Sequence, residues 1–421
     1  MPRLHPPGAR PDAVASGRVP YKTAAMDHTP PQPSANSSTT EMLRHLVAFD
    51  TTSRNSNLAL IGFVRAWLEA NGIAARVSTD PTGQKANLHA IIGPHVAGGI
   101  ALSGHVDTVP VDGQAWSHDP FDLRTEHRPD GDRLYGRGSA DMKGFVASCL
   151  AAVPDLKAMP LARPVHLFIT FDEETTMEGA RVLMSDLADG ALRPALCVVG
   201  EPSLMQPILA HKGRVALKVR VRGKAGHSSE PGRGVNAVFA AAEAIAHVAA
   251  EARRLAAEGP FEDGFDPPHT TTHVGTVEGG AILNIIPEHA EFIMEWRVIP
   301  GHDPYAEVAR LKAHIAAAIE PAMHAVDPDT GFSYEIVGDI PGMGLDADHA
   351  LASLVKQITG ANHAGKVSYG TEGGIFEAAG IACIVCGPGN IQQAHTPDEW
   401  IAQSQLDSCD RFIRSLASRL T

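Results

Sequence analysis

The chain has 421 residues, 44% of them hydrophobic and 20% charged, as expected of a soluble globular protein larger than one typical domain. A formal net charge of −13 with no offsetting Lys/Arg cluster argues against a nucleic-acid surface. The longest apolar runs, such as residues 237–242, fall far short of the roughly 20 residues that a membrane span requires.

Residues 1–37 are rich in Pro, Ala and Ser, without periodicity or the apolar core of a secretory signal. A disordered tail is expected there, with Met26 as an alternative start. Amphipathic helices are expected over 39–47 and 57–71, then strands over 86–92, 99–105, 165–171 and 195–199, with helices over 143–153 and 178–187 between the later ones. Strands alternating with helices imply an α/β domain with a mainly parallel central sheet. From about His211 the texture changes. Charged and apolar residues alternate over 214–221, a long helix spans 236–257, strands cover 273–277 and 290–298, and a helix (305–318) and a strand (331–337) follow. That pattern suits an α+β sandwich with one solvated sheet face. After Pro341 the α/β pattern resumes through a strand at 381–386 and a helix at 403–420. The expected organisation is therefore one α/β domain (38–210 and 341–421) carrying an inserted domain (211–340). The five cysteines are an odd, unevenly spaced set; Cys383 and Cys386 read as core residues of a buried strand, and reduced thiols suit the cytoplasm.

The chemistry-bearing residues lie at strand and loop ends of the α/β part, where open sheets bind their ligands. Ser103-Gly104-His105-Val106-Asp107 puts Asp107 two residues from His105, on the same side of an extended chain. A carboxylate there can orient an imidazole toward a metal, although such a pair is often no more than a hydrogen bond. Gly136-Arg137-Gly138-Ser139-Ala140-Asp141 reads as a tight turn at a helix start, with helix capping as the simpler role for Asp141. Asp172-Glu173-Glu174 follows an apolar strand, and three adjacent acids there repel unless something positive sits beside them. Glu201 follows the next apolar run, and His395 lies in Gln393-Ala394-His395-Thr396-Pro397-Asp398-Glu399 after a Gly-Pro-Gly turn. Together one His, an Asp, several Glu and a distant His make up the donor set of a two-metal site, and oxygen and nitrogen donors without cysteine suit zinc, cobalt or manganese.

With these motifs in order from Thr39 onward, the chain resembles the acetylornithine deacetylase, succinyl-diaminopimelate desuccinylase and aminoacylase family of dinuclear zinc hydrolases. HKGRVAL, GHSSEPGRGVNA, YGTEGG and GPGNIQQAHTPDEW bring it nearest the deacetylase branch. The resemblance implies a zinc-peptidase-like catalytic domain, an inserted lid and dimerisation domain, and two zinc ions per subunit, with cobalt or manganese able to substitute. Asp141 would bridge the metals, with His105 and Glu201 on one and Glu174 and His395 on the other. Glu173 would be the general base, Asp107 the partner of His105, and His227 would reach the active site across a homodimer. In isolation, His227 among Gly, Ser and Pro reads as a solvated loop residue. Asn284 and Arg297 are candidates for a substrate α-carboxylate, with an internal ion pair the alternative for Arg297. Thr371, Glu372, Gly373 and Gly374 would line the pocket, Glu372 receiving an ornithine ammonium. The implied reaction is hydrolysis of N-acetyl-L-ornithine in arginine synthesis by a cytoplasmic enzyme, the alternative being deacylation of another N-acyl amino acid. A glycine-rich nucleotide site at Gly136-Arg137-Gly138 is disfavoured, because the third glycine and the ribose-binding acid are missing.

Overall fold

The computed structural model describes residues 37–188 and 192–421. The tail expected over 1–37 and the alternative start at Met26 fall outside these residues, apart from Ser37. Among the described residues no helix is long and apolar enough to cross a membrane.

The first helix, Thr39–Val47, starts where its sequence says it should. Ser38 Oγ accepts from Glu41 N–H while the Glu41 carboxylate accepts from Ser38 N–H, a reciprocal cap that satisfies two otherwise orphaned donors. Its Met42, Leu43, Leu46 and Val47 point into the core, the spacing of a single helical face.

Nine strands form the central sheet, in the path Ala75–Thr79, Ala86–Ile92, Val165–Thr170, Ile100–His105, Leu196–Pro202, Ala382–Gly387, Ile208–His211 and Met343–Gly344, with Gly365–Val367 also beside Ile208–His211. The four strands from Val165–Thr170 to Ala382–Gly387 run parallel to one another. Toward both edges the pairing is largely antiparallel, so the sheet is mixed rather than uniformly parallel. Ala75–Thr79 escapes a reading by periodicity because it is a short edge strand with no fully buried residue. It is joined to its neighbour by a turn in which Asp80 accepts from the backbone of Thr82, Gln84 and Lys85. The parallel strands are buried along nearly their whole length, which is why they read as continuous apolar runs.

A second sheet has four antiparallel strands in the order Thr271–Gly279, His289–Val298, Gly213–Arg222 and Gly331–Ile340. One face buries Val215, Leu217, Val219, Phe292, Met294 and Trp296 against the helix Ala237–Glu258 and its neighbour Pro304–His314. Each fully buried side chain of this size contributes about 1.5–3 kcal/mol relative to exposure. The opposite face carries an ion-pair ladder of Arg214, Lys218, Arg220, Glu291, Glu295 and Glu335. All five cysteines are free and buried, Cys383 and Cys386 within the strand Ala382–Gly387.

Candidate metal centre

Each candidate ligand sits where a regular element gives way to a loop. His105 ends Ile100–His105, Glu201 lies near the end of Leu196–Pro202, and Glu173 and Glu174 follow Val165–Thr170. Asp141 precedes the helix Lys143–Ala151, and His395 follows the turn Ile391–Gln393. Asp172 (φ 58°) and His395 (φ 62°) take left-handed backbone conformations. Such conformations are costly for non-glycine residues and concentrate at functional sites.

Asp141 divides its carboxylate between two imidazoles. Its Oδ1 lies 3.0 Å from His105 Nε2 and its Oδ2 lies 3.2 Å from His395 Nε2. Glu201 Oε1 is 3.9 Å from His105 Nε2, and Glu174 Oε2 is 2.9 Å from His395 Nε2. Two trios result, His105–Asp141–Glu201 and Asp141–Glu174–His395, each with ligand atoms within 4.8 Å of one another. The helix after Asp141 has Met142 at its N-cap and no side-chain cap bond, so the simpler capping role for Asp141 is not realised.

The electrostatics explain what this cluster lacks. Burial raises the Glu173 carboxyl well above its ordinary range, and the Glu201 charge adds to that. Burial and then the Asp141 charge do the same to Glu201, and push Glu174 up to about 7. His395 is raised to about 10 by its bonds to Asp141 and Glu174. Burial disfavours the charged form of His105, yet its bonds to Asp107 and Asp141 outweigh that and hold it high. Burial likewise works against the Asp141 carboxylate, and the two imidazoles prevail and keep it ionised. Among the described residues no Lys or Arg pairs with Glu173, Glu174 or Glu201. Four carboxylates and two imidazoles crowd together short of positive charge, a donor set that fits divalent cations bound by oxygen and nitrogen.

Asp107 lies beside His105 and also braces the neighbouring turn. The nearer acceptor for His105 Nδ1 is the Asp107 backbone carbonyl at 3.0 Å, with the carboxylate at 3.5 Å. The carboxylate accepts chiefly from the backbone N–H groups of Glu173 (3.1 Å) and Glu174 (3.2 Å) and from Ser53 Oγ (2.8 Å). It therefore fixes the turn that carries the expected base. Lys85, unremarked in the sequence, pairs with Asp172 of the same turn.

The remaining candidates lie elsewhere or are otherwise engaged. His227 is exposed on a two-stranded ribbon opposite Ile285, its Nδ1 2.6 Å from Ser229 Oγ. Asn284, just before Ile285–Ile286 of that ribbon, accepts from Ser228 N–H with its backbone carbonyl. Arg297 lies on the solvated sheet face, bonded to Glu295 at 2.9 Å, which is the internal ion pair left open above. Thr371 is buried, and its Oγ1 accepts from Gly373 N–H. Gly373 and Gly374 open the helix Gly373–Ala378 and are small for packing reasons: a Cβ on Gly374 would meet Pro341 O at 2.0 Å. Glu372 is buried, and burial pushes it up to about 7. Its Oε2 accepts from Thr170 Oγ1 at 2.8 Å, and its Oε1 has no hydrogen-bond partner. A cavity of about 790 Å³ lies away from the ligands, lined by Val238, Phe239, Ile282, Leu283, Ile285 and Met323 among others.

Sequence reasoning missed Arg137 and Glu399, which form a buried ion pair behind Asp141. The available signal was a charged residue four positions from a ligand inside each of two ligand-bearing motifs.

The chain is similar to known proteins over most of its length. The profile described as "Peptidase family M20/M25/M40" matches residues 101–419. A protein of Salmonella paratyphi B named acetylornithine deacetylase is 38% identical over 388 residues, 90% of this chain and 95% of its own length. One of the same name from Photorhabdus laumondii is 36% identical over 383 residues, 89% of this chain and 95% of its own. Among solved structures, an M20 family metallo-carboxypeptidase from Sulfolobus solfataricus superposes with a TM-score of 0.69 at 17% identity, covering 91% of this chain and 99% of its own.

Proposed function

Because the chain belongs to the M20/M25/M40 peptidase family, we propose that it hydrolyses N-acetyl-L-ornithine to L-ornithine and acetate with two zinc ions. The observation that carries the metal reading is the Asp141 carboxylate shared between His105 and His395. The substrate reading draws on the names of relatives 36–38% identical over about nine-tenths of the chain.

His105, Asp141 and Glu201 would hold one cation, and Asp141, Glu174 and His395 the other. When bound, the cations supply Lewis acidity that acidifies a water and polarises the scissile carbonyl. Glu173 takes the proton from the attacking water and delivers it to the leaving amine, a role suited to a carboxyl whose proton affinity is raised by burial and by Glu201. Asp107 keeps Glu173 on station through its backbone N–H. Glu372, with one oxygen unpaired, would receive the substrate ammonium, whose charge would favour the ionised carboxylate, and would disfavour a succinyl carboxylate.

The four-stranded unit would act as lid and dimerisation module of a cytoplasmic homodimer, its occupant being a second copy of this chain. Support comes from Leu283, 98% exposed, with Phe239, Ile282 and Ile285 also uncovered beside the apolar cavity. His227 is paired to Ile285 on that surface, and the proposed role is that it reaches the other copy's substrate oxyanion from there. One well-placed donor of this kind is worth about 3–4 kcal/mol.

The deciding experiment is hydrolysis of N-acetyl-L-ornithine by purified protein before and after chelation, with zinc or cobalt added back. Activity lost to the chelator and restored by metal supports both site and substrate. Inactive protein carrying two metals, or a clear preference for a neutral acetyl amino acid, transfers the assignment to another N-acyl amino acid.

A further inference from the structure

Arg137 and Glu399 have no part in the chemistry above, yet each is only 1% exposed. Burying full charges is costly unless they are paired and their hydrogen-bonding capacity is filled. The Glu399 carboxylate is filled. Its Oε2 accepts from Arg137 at 2.8 Å and from Gly138 N–H at 3.0 Å, while its Oε1 accepts from the N–H groups of Ala140 (3.0 Å) and Asp141 (3.1 Å). One side chain thus grips from inside the turn that aims Asp141.

The other arm of the pair reaches His395. Arg137 bonds Gln114 Oε1 and, at 3.4 Å, the Thr396 carbonyl. Gln114 Nε2 in turn donates to the His395 carbonyl at 2.9 Å. The Arg137 guanidinium also lies over the Trp116 ring, 5.0 Å from its centroid. One buried ion pair therefore holds both loops whose side chains meet at the 3.2 Å contact between Asp141 and His395.

We propose that Glu399, acting with Arg137, is the positioning residue that sets Asp141 against His395 and thereby the affinity for the cation held by Asp141, Glu174 and His395. This rests on the two-cation reading. The role requires a carboxylate rather than any polar group, because both oxygens accept and each faces two donors. A glutamine amide, turned either way, directs its NH₂ at N–H groups. Aspartate is one methylene too short to span the same donors.

The test uses the full chain, stripped by chelation and titrated calorimetrically with Zn²⁺, together with the melting temperature of each stripped form. Wild type is expected to take up two cations. In Glu399→Gln the second binds about 10–100-fold more weakly, the range seen when outer partners of a metal site are removed, and kcat recovers as zinc is raised. Gln114→Ala is expected to show a smaller loss at the same cation, about 10-fold. Gln114 is only partly buried, so this variant decides the matter if Glu399→Gln does not fold. Folded variants that bind the second cation with wild-type affinity overturn the proposal, however far their melting temperatures fall. A wild-type chain that takes up fewer than two cations overturns the two-cation reading instead, before any variant is made.

Discussion

The two sheets treat their acids in opposite ways. On the four-stranded sheet every ladder carboxylate has its own cation: Glu291 pairs with Lys218 and Arg220, Glu295 with Arg214 and Arg297, and Glu335 with Arg220. These pairs are half-exposed, and the ladder is electrically complete. At the loop edge of the nine-stranded sheet, Glu173, Glu174 and Glu201 crowd around Asp141 with only imidazoles for relief, and their proton affinities rise accordingly. The difference marks function. A surface ladder satisfied by its own side chains asks for no ligand, whereas a buried cluster left short of positive charge is built to receive one.

The sharpest way to test that contrast is to remove the expected base. Glu173→Ala should lower kcat by about 10²–10⁴-fold while two equivalents of metal stay bound, read by steady-state kinetics and metal analysis. Loss of metal together with activity would make Glu173 a ligand instead. Next comes metal supply. Because the cluster needs cations, zinc at 100 times its dissociation constant should stabilise the stripped protein by about 2.7 kcal/mol per site, measured by denaturant unfolding. An unchanged midpoint would mean that the acids are relieved in some other way.

A third measurement uses buried groups with no charge to satisfy. His89 Nε2 and His166 Nδ1 lie 3.0 Å apart in adjacent strands, and His166 Nε2 donates to Gly98 O. Burial, with the neighbouring imidazole adding at His89, lowers both to about 4. Both folded values lie below the unfolded value near 6.5. The stability they contribute is therefore fully present above 6.5 and is lost as pH falls toward 4. Between pH 7 and pH 5 each should cost about 2 kcal/mol, and urea unfolding of His166→Asn should show a shallower decline than wild type. The smallest effect belongs to the ladder. Arg220→Ala should change stability by less than about 1 kcal/mol and leave metal binding untouched, because exposed ion pairs contribute little.

Much of this architecture was legible in the chain. The amphipathic helix Thr39–Val47, the buried parallel strands and the alternating strands Gly213–Arg222 and His289–Val298 announce themselves, because burial on one or both faces dictates the residue pattern. The acids and histidines of the centre were legible for a related reason: charge at the end of an apolar strand has few purposes. The short edge strand Ala75–Thr79 and the small sheet of Arg124–Glu126, Arg133–Tyr135 and Trp400–Ala402 were not. They are short and bury too little to impose a period, and Trp400–Ala402 finds its partner Arg133–Tyr135 far away in the chain.

The sequence by itself determined which residue types arrive at the strand ends, and hence that the chain can hold divalent metals near a spare carboxylate. Only the tertiary structure decided how they meet. It divides Asp141 between His105 and His395, turns the Asp107 carboxylate onto the Glu173 backbone, and sets Glu399 behind the whole arrangement. Those contacts join residues 36, 254, 66 and 258 positions apart, respectively, along the chain. Local propensity acts over a few residues, so only the packed sheet and its loops bring such distant groups together.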